Sequence, residues 1–79
     1  MRKRGKKTVS NMGKRRSSTL KDIALSETNT FGERMRAIDL MGELRDDAFD
    51  DLAEVASKGL THSERMNALD MLENIVRQK

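Results

Sequence analysis

Hydrophobic and polar residues alternate with a helical period along most of the chain after residue 18. One segment carries its apolar residues three or four positions apart or adjacent, at Met35, Ala37, Ile38, Leu40, Met41 and Leu44. A later segment does the same, at Met66, Leu69, Leu72, Ile75 and Val76. Between them lies a third stripe, at Ala48, Phe49, Leu52, Val55 and Ala56, and before them a short one, at Leu20, Ile23 and Ala24. These spacings predict four amphipathic helices, and no segment shows the alternation typical of a β-strand.

The two longer helices each begin with the sequence signature of a capping box. Thr30 is followed three residues later by Glu33, and Thr61 is followed by Glu64 at the same distance. In a capping box the Thr hydroxyl accepts a hydrogen bond from the Glu backbone N–H, and the Glu carboxylate accepts one from the Thr N–H. We therefore predict that helices start at both threonines.

The other two helices have weaker boundary signals. Asp46 or Asp47 is expected to begin the third helix, because a short acidic side chain satisfies unpaired backbone N–H groups at a helix start. Gly59 is expected to end the same helix. Thr19 with Asp22 is a weaker start signal for the first, short helix.

The chain contains an internal repeat. Residues 30–41 can be laid on residues 61–72 at an offset of 31, with Thr, Glu, Arg, Met, Ala and Asp recurring at identical places. With one residue of slippage the similarity extends upstream, where residues 20–24 match residues 52–56. The repeated unit is a short helix, a turn and a longer helix. We therefore predict an all-α fold, a small four-helix body made of two helical-hairpin units at about residues 20–45 and 47–78.

The repeated segments also carry a family resemblance. The run Glu-Arg-Met-Arg-Ala-Ile-Asp-Leu-Met-Gly-Glu-Leu-Arg-Asp-Asp-Ala at 33–48 is followed by Leu52, Val55 and a second Arg-x-x-Ala-Leu at 65–69. This arrangement resembles HEAT-type antiparallel helical repeats, and the resemblance implies a scaffold that presents helix faces to a partner rather than an active site. More faintly, the Arg-x-x-Ala-x-x-Leu-x-Gly run at 34–42 beside a basic segment is similar to the helical part of phage small terminase subunits and other DNA-packaging proteins.

Positive charge is concentrated at the N-terminus. Residues 1–18 contain eight Lys or Arg and no acidic residue, whereas residues 19–79 hold the other eight basic residues and all thirteen acidic ones, a net charge of −5. The eight are Arg2, Lys3, Arg4, Lys6, Lys7, Lys14, Arg15 and Arg16. Only Met1, Val9 and Met12 are hydrophobic in this segment, too few to offset the entropy of ordering it. We therefore predict a disordered basic arm at 1–18 joined to a helical body at 19–79.

The composition of the arm favours contact with nucleic-acid phosphates. Each Lys or Arg that neutralises a phosphate releases condensed counterions, so the affinity is expected to depend strongly on salt. The arm has no aromatic residue to stack on bases. We therefore expect weakly sequence-specific binding to DNA or RNA through those eight side chains. The alternative is a solvated tail that aids solubility or folds back on the acidic body.

Five acidic residues cluster around the predicted third helix, at Asp46, Asp47, Asp50, Asp51 and Glu54. Helical spacing would place Asp50, Asp51 and Glu54 opposite the apolar stripe, on a solvated face, which argues against general acid/base or Mg²⁺ chemistry. A contact with a basic partner, or with the arm of a neighbouring molecule, remains open. The second functional hypothesis is therefore a protein-interaction module that binds a basic partner through this acidic face.

Several classes of chemistry are excluded by what the chain lacks. It has no Cys and a single His, His62, which we expect to be exposed in the first turn of the fourth helix, so Cys/His zinc sites, disulfides and a set of nucleophile, base and orienting residue cannot be assembled. No Gly-rich phosphate loop is present either. We expect no enzyme, no cofactor, no bound metal and no small-molecule substrate. Since no apolar run is long enough to span a bilayer or to form a secretory signal, we expect a cytoplasmic protein, nucleoid-associated or a virion component.

The size of the body predicts a protein partner. Short helical repeats need about three units to bury a continuous core, and here there are two. We therefore expect a helix face left over by the internal packing to be covered by a second copy or by another protein, with Met side chains adapting to the contact.

Overall fold

The computed structural model describes the backbone of residues 2–78 and the side chains of residues 12–78. Four α-helices follow in order: α1 (Arg2–Leu25), α2 (Phe31–Leu44), α3 (Phe49–Lys58) and α4 (His62–Arg77). A single 3₁₀ turn, Arg45–Ala48, connects α2 to α3. No strand occurs between residues 2 and 78, which confirms the predicted all-α class and the four-helix body.

The helices pack as two stacked hairpins. The closest pairings are α1 with α2 and α3 with α4, and the two hairpins meet where α1 packs on α3 and α2 on α4. The buried core between them is made of small and medium aliphatic side chains: Ala24, Ala37, Ile38, Met41, Ala48, Leu52, Val55, Ala68 and Ile75. Every helix contributes to this core, so neither hairpin encloses it alone.

The predicted capping box at the start of α2 is confirmed. The Thr30 backbone N–H donates to Glu33 Oε1 at 2.7 Å, and the Glu33 N–H donates to Thr30 Oγ1 at 3.1 Å. At the start of α4 the Glu64 N–H also donates to Thr61 Oγ1, at 3.3 Å, but the Thr61 hydroxyl itself donates to Glu64 Oε1 at 2.7 Å. The Glu64 carboxylate is oriented differently from that of Glu33 because it is buried and has a partner in the other unit.

That partner is Arg34 of α2. Its Nε donates to Glu64 Oε2 at 2.8 Å and its Nη2 to Glu64 Oε1 at 3.3 Å, while its Nη1 donates to the carbonyl oxygen of Asn29 in the α1–α2 turn. Glu64 is fully buried, and Arg34 is 9% exposed. The pair therefore joins the first unit to the second inside the protein, and all the buried side-chain polar atoms of the described residues have partners.

The Arg34 contact also determines the charge state of Glu64. Burial by itself acts to raise the pKa of the Glu64 carboxyl, but hydrogen bonds from Arg34 and Thr61, together with the Arg34 charge, outweigh burial. The pKa of Glu64 therefore lies below its usual value, and the carboxyl is ionised at neutral pH.

The predicted boundary between arm and body after residue 18 is wrong for residues 12–18. These residues are part of α1, and both Gly13 and Ser17 are buried in the body. A Cβ on Gly13 would lie 2.1 Å from Asp47 Oδ2, so the close approach of α1 to the 3₁₀ turn requires glycine or a shift of Asp47. The number of hydrophobic residues in the N-terminal segment did not reveal this packing, because Gly13 and Ser17, which are small and not hydrophobic, make the contact. In the rest of the predicted arm, Met1 and the side chains of residues 2–11 lie outside the described part of the structure.

The predicted start of the third helix also needs correction. Asp46 and Asp47 lie in the 3₁₀ turn, and α3 begins at Phe49. The turn begins at Arg45, whose φ of 54° ends α2 in a conformation that residues other than glycine rarely adopt. The end of α3 at Lys58, one residue before Gly59, agrees with the prediction.

The apolar stripes are only partly buried. Ala48, Leu52 and Val55 in the third stripe lie in the core, but Phe49 remains 36% exposed. The same division holds for the stripes of α2 and α4, whose exposed members are Leu40, Met66, Leu69 and Val76. Two units do not bury every residue that the helical period assigns to an apolar face, because each unit has only one neighbour.

Ile38 and Leu69 occupy equivalent positions in the two units and provide a matched test of this division. Ile38 is fully buried, whereas Leu69 is 48% exposed. Truncation of Ile38 to Ala should lower the free energy of unfolding by about 2–5 kcal/mol, since it leaves a cavity. Leu69→Ala should lower it by less than about 1 kcal/mol. Urea denaturation of dilute protein measures both, and equal losses would contradict the different burial of the two units.

Neutralising Glu64 should destabilise the protein in a pH-dependent way. Glu64→Gln leaves Arg34 buried without a counter-charge, so the free energy of unfolding should fall by about 3 kcal/mol at pH 7. Since the pKa of Glu64 is lowered on folding, its contribution is complete above the unfolded pKa and disappears as the pH falls through the folded pKa. Urea denaturation between pH 7 and pH 2 should show the gap between wild type and variant closing in acid.

Glu73→Gln is the control for this experiment. Glu73 accepts from Arg77 at 2.7 Å on the surface of α4, where both side chains are more than half exposed. Its neutralisation should change stability little at any pH. A gap between wild type and Glu64→Gln that stays constant into acid would contradict the role assigned to Glu64.

Candidate nucleic-acid interface

Three of the eight N-terminal cations have described side chains, and all three are exposed on α1. Lys14, Arg15 and Arg16 lie between Gly13 and Ser17, the two residues of that turn that face the body. None of the three cations makes a hydrogen bond or an ion pair with the side chains of residues 12–78. Their charges are therefore available to a ligand outside the protein.

The other five cations lie near the start of the same helix, at Arg2, Lys3, Arg4, Lys6 and Lys7. Their side chains are outside the described residues. The helix backbone starts at Arg2, and its first turn contains no acidic residue. The aligned peptide dipoles place partial positive charge at a helix start, so neither the sequence nor the backbone supplies negative charge at this end of α1.

The opposite side of α1 is attached to α3 by polar contacts. The Ser17 hydroxyl, fully buried, donates to Asp51 Oδ2 at 2.6 Å. One turn later Lys21 Nζ lies 3.7 Å from Asp51 Oδ1 and donates to Glu54 Oε1 at 3.3 Å. These contacts hold one face of α1 on the body and leave Lys14, Arg15 and Arg16 on the others.

The same contacts correct the prediction for the acidic cluster. Asp51 and Glu54 do not lie on a fully solvated face, since both are half-buried against α1. Asp47 packs on Gly13, and Asp50 is exposed. The sequence places Asp51 opposite the Leu52 stripe but does not show that a second helix, α1, covers that side of α3.

Lys21 is the cation most affected by this arrangement. The hydrogen bond to Glu54 raises the pKa of the Lys21 ammonium, an effect opposed by burial and reinforced by the charges of Asp51 and Glu54. Lys21 is therefore charged at every physiological pH. Asp51 and Glu54 thus already have a cationic partner within the chain.

Other chemistry finds no site among the described residues. No group of three or more His, Cys, Asp or Glu side chains between residues 12 and 78 is arranged to hold a metal ion. His62 is exposed at the start of α4, as predicted from its position. None of the helices formed by residues 2–78 has both the length and the apolar character needed to cross a bilayer.

A groove between α1 and α2, about 460 Å³ in volume, was not anticipated from the sequence. Leu20, Leu40 and Leu44 supply its apolar lining, and Arg15, Arg16 and Glu43 supply charged groups. Leu40 is 45% exposed there. The sequence signal for the groove was the position of Leu40, which widens the apolar stripe of α2 beyond the side that the second unit can cover.

No protein-family model, curated protein or solved structure matches this chain significantly.

Adjacent serines on α1 test how the basic helix is attached. Ser17→Ala removes the hydrogen bond to Asp51 and should lower the free energy of unfolding by about 1 kcal/mol relative to Ser18→Ala. Ser18 is exposed, and both substitutions change helix propensity alike, so the difference isolates the hydrogen bond. Urea denaturation measures it. Equal stability of the two variants would show that Ser17 does not anchor α1.

Proposed function

We propose that this protein is a non-enzymatic helical adaptor that binds nucleic-acid phosphates through the basic half of α1, within a larger assembly of the phage or nucleoid type. The observation that carries the proposal is the division of α1 into two sides. Ser17 and Lys21 attach the helix to acidic groups of α3, while Lys14, Arg15 and Arg16 are exposed without acidic partners among the described residues. The remaining five cations precede them on the same helix.

Electrostatics rather than base reading would supply the affinity. The chain has two Phe and no Trp or Tyr, and neither Phe31 nor Phe49 belongs to α1. Without aromatic side chains beside the cations, base stacking cannot contribute. DNA and RNA duplexes would therefore be bound with little sequence preference, through contacts with phosphates.

The helical body would act as the scaffold that carries this helix. The similarity of the repeated units to HEAT-type repeats, and the fainter similarity of residues 34–42 to phage DNA-packaging proteins, suggest that role and suggest a nucleoid-associated or virion location. The alternative, an acidic face that binds a basic protein, receives less support. Asp51 and Glu54, two of its five residues, already pair with Ser17 and Lys21 of the same chain.

The salt dependence of binding tests the proposal. If all eight N-terminal cations contact duplex DNA, the slope of log affinity against log salt should be about −7. Replacing Lys14, Arg15 and Arg16 with Gln should make the slope less steep by about 3, and replacing the five earlier cations should make it less steep by about 4–5. Fluorescence anisotropy with a labelled 20-base-pair duplex, titrated between 50 and 300 mM NaCl, measures these slopes.

A matched triple variant elsewhere in the chain controls for net charge. Lys58 and Arg77 are exposed on α3 and α4, and their replacement by Gln together with that of Lys79 removes the same total charge. This variant should keep the wild-type slope. Equal losses in the two triple variants would indicate attraction by net charge alone, and no binding at 50 mM NaCl would reject nucleic-acid contact.

A further inference from the structure

The internal repeat makes it possible to compare the two units position by position. Residues of α2 correspond to residues of α4 at an offset of 31, and residues of α1 correspond to residues of α3 at an offset of 32. Since the units stack α1 on α3 and α2 on α4, each unit uses a different face in this contact. The face that each unit does not use is left without a partner among the side chains of residues 12–78.

The unused face of the first unit is the groove between α1 and α2. Its apolar residues Leu20 and Leu44 correspond to Leu52 and Ile75, which are buried in the core. Leu40 corresponds to Met71, whose sulfur would lie 2.4 Å from a Cβ on Gly42 of the first unit. The groove of the first unit is therefore formed by repeat positions whose counterparts in the second unit pack against the first unit. We call this groove the head face.

The unused face of the second unit lies on α3 and α4. Leu69, 48% exposed, corresponds to the buried Ile38, and Phe49 corresponds to Ser17, which is buried against Asp51. Met66, also exposed, corresponds to Met35, whose sulfur accepts from Asn67 of the second unit. The exposed residues of the second unit thus occupy the repeat positions that, in the first unit, form the contact surface for the second unit. We call this surface, Phe49, Met66 and Leu69, the tail face.

We propose that copies of this chain associate head to tail, the tail face of one copy packing on the head face of the next as the two units pack within each chain. The occupant of both faces is thus a second copy. The proposal does not depend on nucleic-acid binding, although Arg15 and Arg16 line the groove of the head face as well. A heterologous contact of this kind forms a ring if the rotation closes and an open chain if it does not.

Charged residues at the two faces fit this arrangement. The internal pair Arg34–Glu64 corresponds to Arg65 on the second unit and Glu33 on the first. Arg65 Nη1 donates to the Gly59 carbonyl at 2.8 Å, as Arg34 Nη1 donates to the Asn29 carbonyl, so its guanidinium is held in a similar way. A copy stacked on the tail face would bring its Glu33 to Arg65.

A second contact between the two units also predicts complementary charges at the junction of two copies. Asn67 of the second unit donates to Asp39 of the first at 3.1 Å. The corresponding residues at the junction of two copies are Asp70 and Arg36, a pair of opposite charge. Both residues are exposed in the single chain. Head-to-tail stacking would therefore replace a hydrogen bond from an amide to a carboxylate with an ion pair.

The junction would be looser than the internal interface. Gly13 and Gly42, where an added Cβ would collide with Asp47 and Met71 of the second unit, correspond to Arg45 and Glu73. These longer side chains prevent the same close approach. We therefore expect reversible association, in which the average mass rises with concentration rather than reaching a fixed value at low concentration.

Two variants that block one face each test the proposal. Leu40→Asp places a charge on the head face, and Leu69→Asp places one on the tail face. In sedimentation equilibrium of the full chain between 1 and 500 μM, wild type should increase in average mass, whereas each variant alone should remain at the monomer mass. An equimolar mixture should reach twice the monomer mass and no more, because it contains one usable head and one usable tail face per pair.

Leu60→Asp is the matched control, since Leu60 is an exposed leucine in the α3–α4 connection, outside both faces. This variant should associate as wild type does. Circular dichroism of every variant monitors folding. A wild-type chain that stays monomeric to 500 μM would overturn the proposal, as would self-association of either blocked variant alone, which would indicate a symmetric dimer through the remaining face.

Charge reversal provides an independent pair of variants if an Asp substitution unfolds the chain. Arg36→Glu and Asp70→Arg each place like charges at the junction and should each weaken association at least tenfold. Mixing the two restores opposite charges at every junction, so the mass of the mixture should rise with concentration as for wild type. Failure of the mixture to exceed either variant alone would reject the head-to-tail register.

Discussion

The ion pair between Arg34 and Glu64 is the contact on which the arrangement of the two units depends. It lies inside the protein, and its carboxylate also accepts from the Thr61 hydroxyl at the start of α4. One guanidinium therefore connects the α1–α2 turn, α2 and the first turn of α4. A buried ion pair is costly to desolvate and unfavourable when half broken, so it penalises any stacking of the units in which the two charges do not meet.

Small residues determine how closely the hairpins approach. Gly13 lies against Asp47 and Gly42 against Met71, and Ser17 fills a buried position with a hydroxyl that reaches Asp51. This close contact attaches α1 to the body although its N-terminal half is rich in cations. On the proposed function, this arrangement leaves Lys14, Arg15 and Arg16 exposed on the sides of α1 that do not contact the body, where they would contact phosphates.

The proposed nucleic-acid contact and the proposed stacking of copies meet on α1. Arg15 and Arg16 are exposed cations and also line the groove beside Leu40. Head-to-tail association would place one basic helix at each repeat of the assembly, so that several copies could contact one nucleic acid. Linked contacts of this kind raise the overall affinity without any stronger single contact.

The helical period, the Thr-x-x-Glu signatures and the 31-residue repeat were enough to predict from the sequence four helices, the start of α2 and α4, and the division into two units. These features are local, or repeat in the chain, so they can be read without knowing which helices touch. Three-dimensional packing alone determined that residues 12–18 belong to the body, that Asp51 and Glu54 pair with α1, and that Leu40 and Leu69 remain exposed. Each of these depends on the partner that a residue meets across the fold. The HEAT-like and packaging-protein resemblances remain predictions, because a four-helix body alone does not distinguish among families with this architecture. The positive charge of the N-terminal segment is a property of the sequence, whereas the face it presents depends on the tertiary contacts of Gly13, Ser17 and Lys21.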